Sequence, residues 1–189
     1  MDGYQKRTIR KQNAILEAAY RLFLQQGVRA TPVALIAKEA SVSQVTIYNY
    51  FHSKQTVVRR VVQRLIEDDT KAFEAIVYDG SSRFSIKMDR LMAFLESKID
   101  EYDMALIQEL VASEEPTLSK VLKWYVDNRI ATALAYFVRE GVREGKISDT
   151  LDEQVVYDHF ALFDFGSIDQ KAALKSHLRI LFFGIKGSS

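Results

Sequence analysis

Apolar residues recur along this chain at intervals of three and four, the signature of helices with one buried face. Ile15, Ala18, Ala19, Leu22 and Phe23 fall on one stripe of a segment running from Ile9 to Gln26, and Gly27 is placed to end it as a C-terminal cap. Thr31 followed by Pro32 reads as an N-cap and first helical position, so a short helix is predicted from about Pro32, with Val33, Ile36, Ala37 and Ala40 on one face. Ser41-Val42-Ser43 interrupts it, and the helical pattern resumes from Gln44 to Phe51. Two helices this short cannot bury enough alone, and leaning on neighbours across a tight turn is the geometry of a helix-turn-helix.

Beyond it, Ser53 can cap a long helix from Lys54 to about Val77, where Val57/Val58, Val61/Val62, Leu65/Ile66, Ala72/Phe73 and Ile76/Val77 recur. At 1.5 Å per residue it is ~36 Å long, too long for the N-terminal head alone, and it reads as a rigid connection between head and body. Asp79-Gly80-Ser81-Ser82 breaks the pattern before a helix from Phe84 to Ile99. A shorter helix is predicted from Met104 to Ala112, ended ahead of Pro116. The longest body helix should start at Thr117 and stop at Gly145, with a loosening at Gly141. Thr150 and Glu153 form a capping box for a helix to about Phe165, and a last helix spans Ile168 to about Phe183. These last two helices are more apolar than one stripe each requires. Val156, Phe160, Phe163, Leu174, Leu178, Leu181 and Phe182 are therefore candidates for a dimer interface, with central helices of the protomer's own body as the alternative.

Composition narrows this to an all-α chain: only 8 Gly and 2 Pro among 189 residues, with 48% hydrophobic content. Zero Cys excludes disulfides, thiolate metal sites and a thiol nucleophile, and a reducing cytoplasm is the expected setting. No apolar run approaches the ~18–20 residues of a membrane span, so a soluble protein without a membrane partner is expected. The formal net charge of +1 conceals a division. Residues 1–60 hold ten Lys/Arg against three acids, whereas the remainder holds 16 against 22, a head at +7 on a body at −6. A basic head favours a polyanion as its partner.

The run ILEAAYRLFLQQGVRATPVALIAKEASVSQVTIYNYFHSKQTVV resembles the TetR family of bacterial transcriptional regulators. A helix ends at Gly, Thr follows at the next cap, Ile-Ala lies in the second helix, and Ser-x-x-Thr-Ile-Tyr-x-Tyr-Phe precedes Ser-Lys. The resemblance covers about residues 8–62, and the body shares only the layout of several amphipathic helices. It implies an N-terminal three-helix DNA-binding domain with a helix-turn-helix, over residues 1–53. A C-terminal helical bundle for ligand sensing and dimerisation, over residues 54–189, would follow. The partners implied are double-stranded operator DNA, a second copy of the chain and a small hydrophobic or amphipathic effector. No cofactor is implied.

Carried over position by position, Gln44, Val45, Thr46 and Asn49 would face the major groove, and Tyr48, Tyr50 and Lys54 would hold phosphates. Thr31 and Ser43, at helix N-termini, would suit a phosphate oxygen or serve only as caps. Two positions depart from the family pattern. Ser41 stands where the family commonly has Gly, at a cost on the order of 1 kcal/mol if its backbone is left-handed. Val45 replaces another common Gly and offers an apolar surface to a thymine methyl. Effector candidates are Met88, Met92, Trp124, Tyr125, Asn128, Tyr136 and His159, with ordinary core packing as the competing role. For an enzyme the chain offers little: three histidines without metal spacing, no Gly-rich phosphate loop and no nucleophile elbow. A DNA-binding protein of the same architecture controlled by a protein partner is the other reading.

Overall fold

The computed structural model describes residues 3–101, 120, 124–150, 154–156 and 171–184. Its helices are α1 (Gly3–Gln26), α2 (Val33–Glu39), α3 (Gln44–Phe51), α4 (Lys54–Val77), α5 (Phe84–Glu101), α6 (Ala131–Arg143) and α7 (Lys171–Gly184). The fold is all-α. The helix predicted from Met104 to Ala112 lies outside the described residues, as does most of the helix predicted from Thr150 to Phe165. The chain forms two compact units that divide inside α4, at Leu65/Ile66, whereas the expected domain boundary at Ser53 is where that helix starts.

The first unit follows the apolar pattern closely. α1 buries Ile15, Ala18, Ala19, Leu22 and Phe23, and it stops where Gly27 turns to φ +79° while donating its N–H to the Phe23 carbonyl at 2.9 Å. α2 buries Val33, Ile36 and Ala37; α3 buries Ile47 and Phe51; the start of α4 adds Val57, Val58 and Val61. Ser53 caps α4 as its sequence position suggests, its hydroxyl accepting the Thr56 N–H at 3.1 Å.

The start of α2 departs from expectation. Its cap residue is Pro32, with no side-chain cap. Thr31 is fully buried, and its hydroxyl donates to the Gly27 carbonyl at 2.7 Å instead of accepting an α2 N–H. Gln26 adds a hydrogen bond to the same hydroxyl at 3.2 Å. Thr31 thus ties the end of α1 to the loop, because that carbonyl is one of those a helix terminus leaves unpaired.

In the second unit, Phe73, Ile76 and Val77 of α4 join Phe84, Met88, Leu91 and Ile99 of α5 and Ala133, Leu134, Phe137 and Val138 of α6 in one core. Phe84 and Phe137 meet with ring centroids 4.6 Å apart. Gly141, expected to loosen its helix, does the opposite. A Cβ there would stand 2.6 Å from both Phe84 and Ile147, so the missing side chain lets α6 close against α5 and the Ile147 segment. The loosening lies earlier, at Val126–Ile130, where the backbone forms a π-helical turn. The 79–82 breaker is organised by the Asp79 carboxylate, which accepts from the Ser81 N–H (2.9 Å), the Ser81 and Ser82 hydroxyls (2.6 and 2.8 Å) and Arg90 (2.7 Å). These donors hold its pKa well below the usual carboxylate range. α7 lies along α5, joined by Arg179–Glu96 and Lys175–Asp100 pairs, each 2.7 Å.

Candidate nucleic-acid interface

α3 is short, so its orientation depends on what it buries and how it is joined at both ends. Ile47 and Phe51, one turn apart, are sunk into the core. Ser43 caps its start, its hydroxyl accepting the Thr46 N–H at 3.1 Å. The turn before it passes through Ser41 at φ +54°, a left-handed conformation, and the Val42 N–H reaches back to the Ala37 carbonyl at 2.9 Å. At the other end His52 takes φ +63°, so two residues suffice to turn the chain into α4. Neither turn residue is Gly, and each carries the steric cost of a Cβ in this region.

With Ile47 and Phe51 inward, the opposite face is presented to solvent. Gln44, Val45, Tyr48 and Asn49 are exposed, Val45 at 66% and Tyr48 at 47%, while Thr46 and Tyr50 are partly exposed. Exposed large apolar side chains cost solvation free energy that a groove with thymine methyls recovers. Tyr50 packs edge-on against Phe51, with centroids 6.5 Å apart. The Lys54 ammonium reaches toward the Arg29 carbonyl at 3.5 Å. Thr31 alone among the predicted contacts has no exposed surface, so its hydroxyl is not presented to a phosphate.

Among the described residues, the effector candidates proposed from sequence take different positions in the body. Met88 is 4% exposed and belongs to the core, with Met92 packed against it. Trp124 and Asn128 are exposed, and the Asn128 amide donates to the Trp124 carbonyl at 2.9 Å across the π-helical turn. Tyr136 stacks on Tyr78 with centroids 4.9 Å apart. Tyr125 meets the Trp124 ring edge-on, and His159 lies outside the described residues. Of the predicted dimer residues, Val156 and Leu178 are buried in the protomer's own core at 3% and 5%, which corrects their assignment to an interface. Leu174, Leu181 and Phe182 lie on α7 with side chains outside the described residues, as are Phe160 and Phe163. A shallow hollow along α1, lined by Lys6, Ile9, Arg10, Asn13, Ala14 and Glu17, is too open to enclose a ligand.

One arrangement was not anticipated from the sequence. Lys87 of α5 is wholly buried, its ammonium donating to both Glu140 oxygens of α6 (2.8 and 2.6 Å) and to the Val77 carbonyl at the end of α4 (3.1 Å). Its spacing from Phe84, Met88 and Leu91 places it on the apolar face of α5, which was the one available clue.

An exposed polar and apolar face on a capped, core-anchored helix after a tight turn defines a helix-turn-helix DNA-binding protein with a helical body. Residues 15–61 match the family model described as bacterial regulatory proteins, tetR family. The HTH-type transcriptional regulator YhgD of Bacillus subtilis (strain 168) is 29% identical over 143 residues, 74% of this chain and 73% of YhgD. The HTH-type transcriptional repressor KstR2 of Rhodococcus jostii (strain RHA1) is 24% identical over 78% of this chain and 72% of its own length. The fold is similar to the crystal structure of the transcriptional regulator FadR from Bacillus subtilis in complex with stearoyl-CoA. There the TM-score is 0.67 at 20% identity, covering 91% of this chain and 98% of FadR. Residues 15–61 are thus a TetR-type helix-turn-helix region, and the relatives the chain matches over about three quarters of its length are HTH-type transcriptional regulators. Among the described residues no helix is long and apolar enough to cross a membrane.

Proposed function

We propose that this protein is a homodimeric repressor that releases its operator when a small hydrophobic or amphipathic effector occupies the body. The observation that carries the DNA half is the outward face of α3. Gln44, Val45, Thr46 and Asn49 read base edges, and Ser43, Tyr48, Tyr50 and Lys54 hold phosphates. Support for the repressor and effector half comes from the likeness to KstR2, named a repressor, and to FadR, solved with stearoyl-CoA. Met92, Trp124, Tyr125, Asn128, Tyr136 and His159 remain the effector candidates, and Phe160, Phe163, Leu174, Leu181 and Phe182 the dimer candidates. An effector can act only by preferring one of two arrangements of the heads, and α4 is the lever between them. Its last carbonyl is gripped by Lys87, so movement among α5 and α6 has a route into it.

The test is protection of the DNA upstream of the gene by the purified protein, repeated with a panel of hydrophobic compounds including stearoyl-CoA. Specific protection lost with one compound is the expected result; no specific protection at any salt concentration sinks the proposal. Tyr48→Ala should weaken binding to all sequences. Gln44→Ala should relax preference at particular bases, by about 1–3 kcal/mol for a bidentate contact.

A further inference from the structure

The first three turns of α1 contribute no buried residue to the core. None of residues 3–14 is buried, and the first core residue is Ile15, so about 18 Å of helix at 1.5 Å per residue precedes the first buried side chain. This stretch carries Lys6, Arg7, Arg10 and Lys11, all exposed, and none has an ion-pair partner among the described residues. Their arrangement opposes the helix in two ways. Lys6/Arg10 and Arg7/Lys11 are like charges at i,i+4, which repel across one turn. Lys6 also sits in the first turn, at the positive end of the α1 macrodipole, with no acid in that turn to offset it. Among the described residues no acid pairs with these four, and an external anion would offset the costs.

We infer that Lys6, Arg7, Arg10 and Lys11 form a second, sequence-independent contact with the operator, on the phosphate backbone. This rests on the DNA-binding reading of α3 and adds to it a separate set of residues in the same compact unit. DNA is favoured over another polyanionic surface because these residues belong to the same compact unit as α3, the helix proposed to read DNA. Exposed Tyr4 and Ile9 on the same turns add apolar surface. The division of labour is the usual one, with phosphate contacts setting affinity and register while base contacts set specificity.

The test uses the full-length protein on its footprinted operator, with the dissociation constant measured from about 50 to 200 mM potassium chloride. The variant is the combined Lys6→Gln, Arg7→Gln, Arg10→Gln, Lys11→Gln, since Gln keeps helix propensity and removes only charge. Each lost phosphate contact lowers the magnitude of the salt slope by about 0.9, so a dimer losing between two and all eight contacts shows a drop of roughly 2 to 7. Discrimination between operator and mutated operator should stay unchanged, and the melting temperature should not fall, since the repulsion along α1 is relieved. A control carrying Arg83→Gln, Arg143→Gln and Lys146→Gln on the body should keep the wild-type slope. Wild-type protection with an unchanged slope in the α1 variant overturns the inference while leaving the α3 reading intact. An equal drop in the control also overturns it, since general charge would then be responsible. Loss of binding to phosphatidylglycerol-rich vesicles without any change on DNA overturns it in favour of a membrane surface. Absence of specific protection by the wild-type protein overturns both readings.

Discussion

Removing the ammonium of Lys87 isolates the least conventional element of the body. In the Lys87→Met variant the methionine fills most of the lysine volume, but the Glu140 carboxylate loses its counter-ion, and the Val77 carbonyl loses its donor. Breaking a buried pair on one side costs about 3–5 kcal/mol, most of it the desolvation of the charge left behind. The Glu140 side chain is 10% exposed, which gives water some access and sets the expectation at the lower end, about 3 kcal/mol. The unsatisfied Val77 carbonyl adds about 1 kcal/mol. In the double variant Lys87→Met, Glu140→Leu the orphan charge is gone and only the carbonyl penalty remains. Its expected loss is therefore about 1 kcal/mol, smaller than that of the single variant. Urea unfolding followed by circular dichroism measures both, with unchanged m-values as the check that midpoint shifts report stability. A single variant that loses under about 1 kcal/mol, or a double variant as unstable as the single one, refutes a buried, mutually dependent pair.

Three further outcomes follow from particular positions. Gly141→Ala should destabilise the body despite the better helix propensity of alanine. Its Cβ meets Phe84 and Ile147 at 2.6 Å, and overpacking costs about 1–3 kcal/mol against a propensity gain of about 1; a raised melting temperature would contradict it. Ser41→Gly should raise the melting temperature, since φ +54° costs a serine on the order of 1 kcal/mol, part of which the greater freedom of unfolded glycine offsets. Asp79 has a folded-state pKa below its unfolded one, so its contribution is fully present above the unfolded value near 4 and disappears as pH falls through the lower folded one. The stability difference between wild type and Asp79→Ala should thus be flat from pH 7 to about 5 and shrink in more acidic solution; a difference that grows on acidification would be the wrong sign.

How much of the molecule could be read from the chain depends on whether its cause is local. The α1 stripe, the Gly27 stop, the Ser53 cap and the 24-residue extent of α4 are properties of neighbours within a few turns, and each appears where the periodicity put it. The outward face of α3 was legible for the same reason, because burying Ile47 and Phe51 dictates which side chains point away. Thr31 misled because two uses of one hydroxyl compete. Capping α2 is a local bond, but the Gly27 carbonyl is brought within 2.7 Å only by the way α1 and the loop meet. Gly141 misled in the same manner, since glycine loosens an isolated helix and permits close approach in a packed one.

By itself, then, the sequence determined that this is an all-α protein with a basic helix-turn-helix head, which of its residues face outward on α3, and where the connecting helix begins and ends. The tertiary structure decided that Val156 and Leu178 lie inside the protomer and that Thr31 is buried. It also decided that Lys87, Glu140 and the Val77 carbonyl meet. Residues 77, 87 and 140 belong to three elements, and no periodicity specifies which polar groups of separate helices come together. That is fixed by how ridges and small residues such as Gly141 let the helices approach, and the cost of an unpaired buried charge then makes the meeting obligatory.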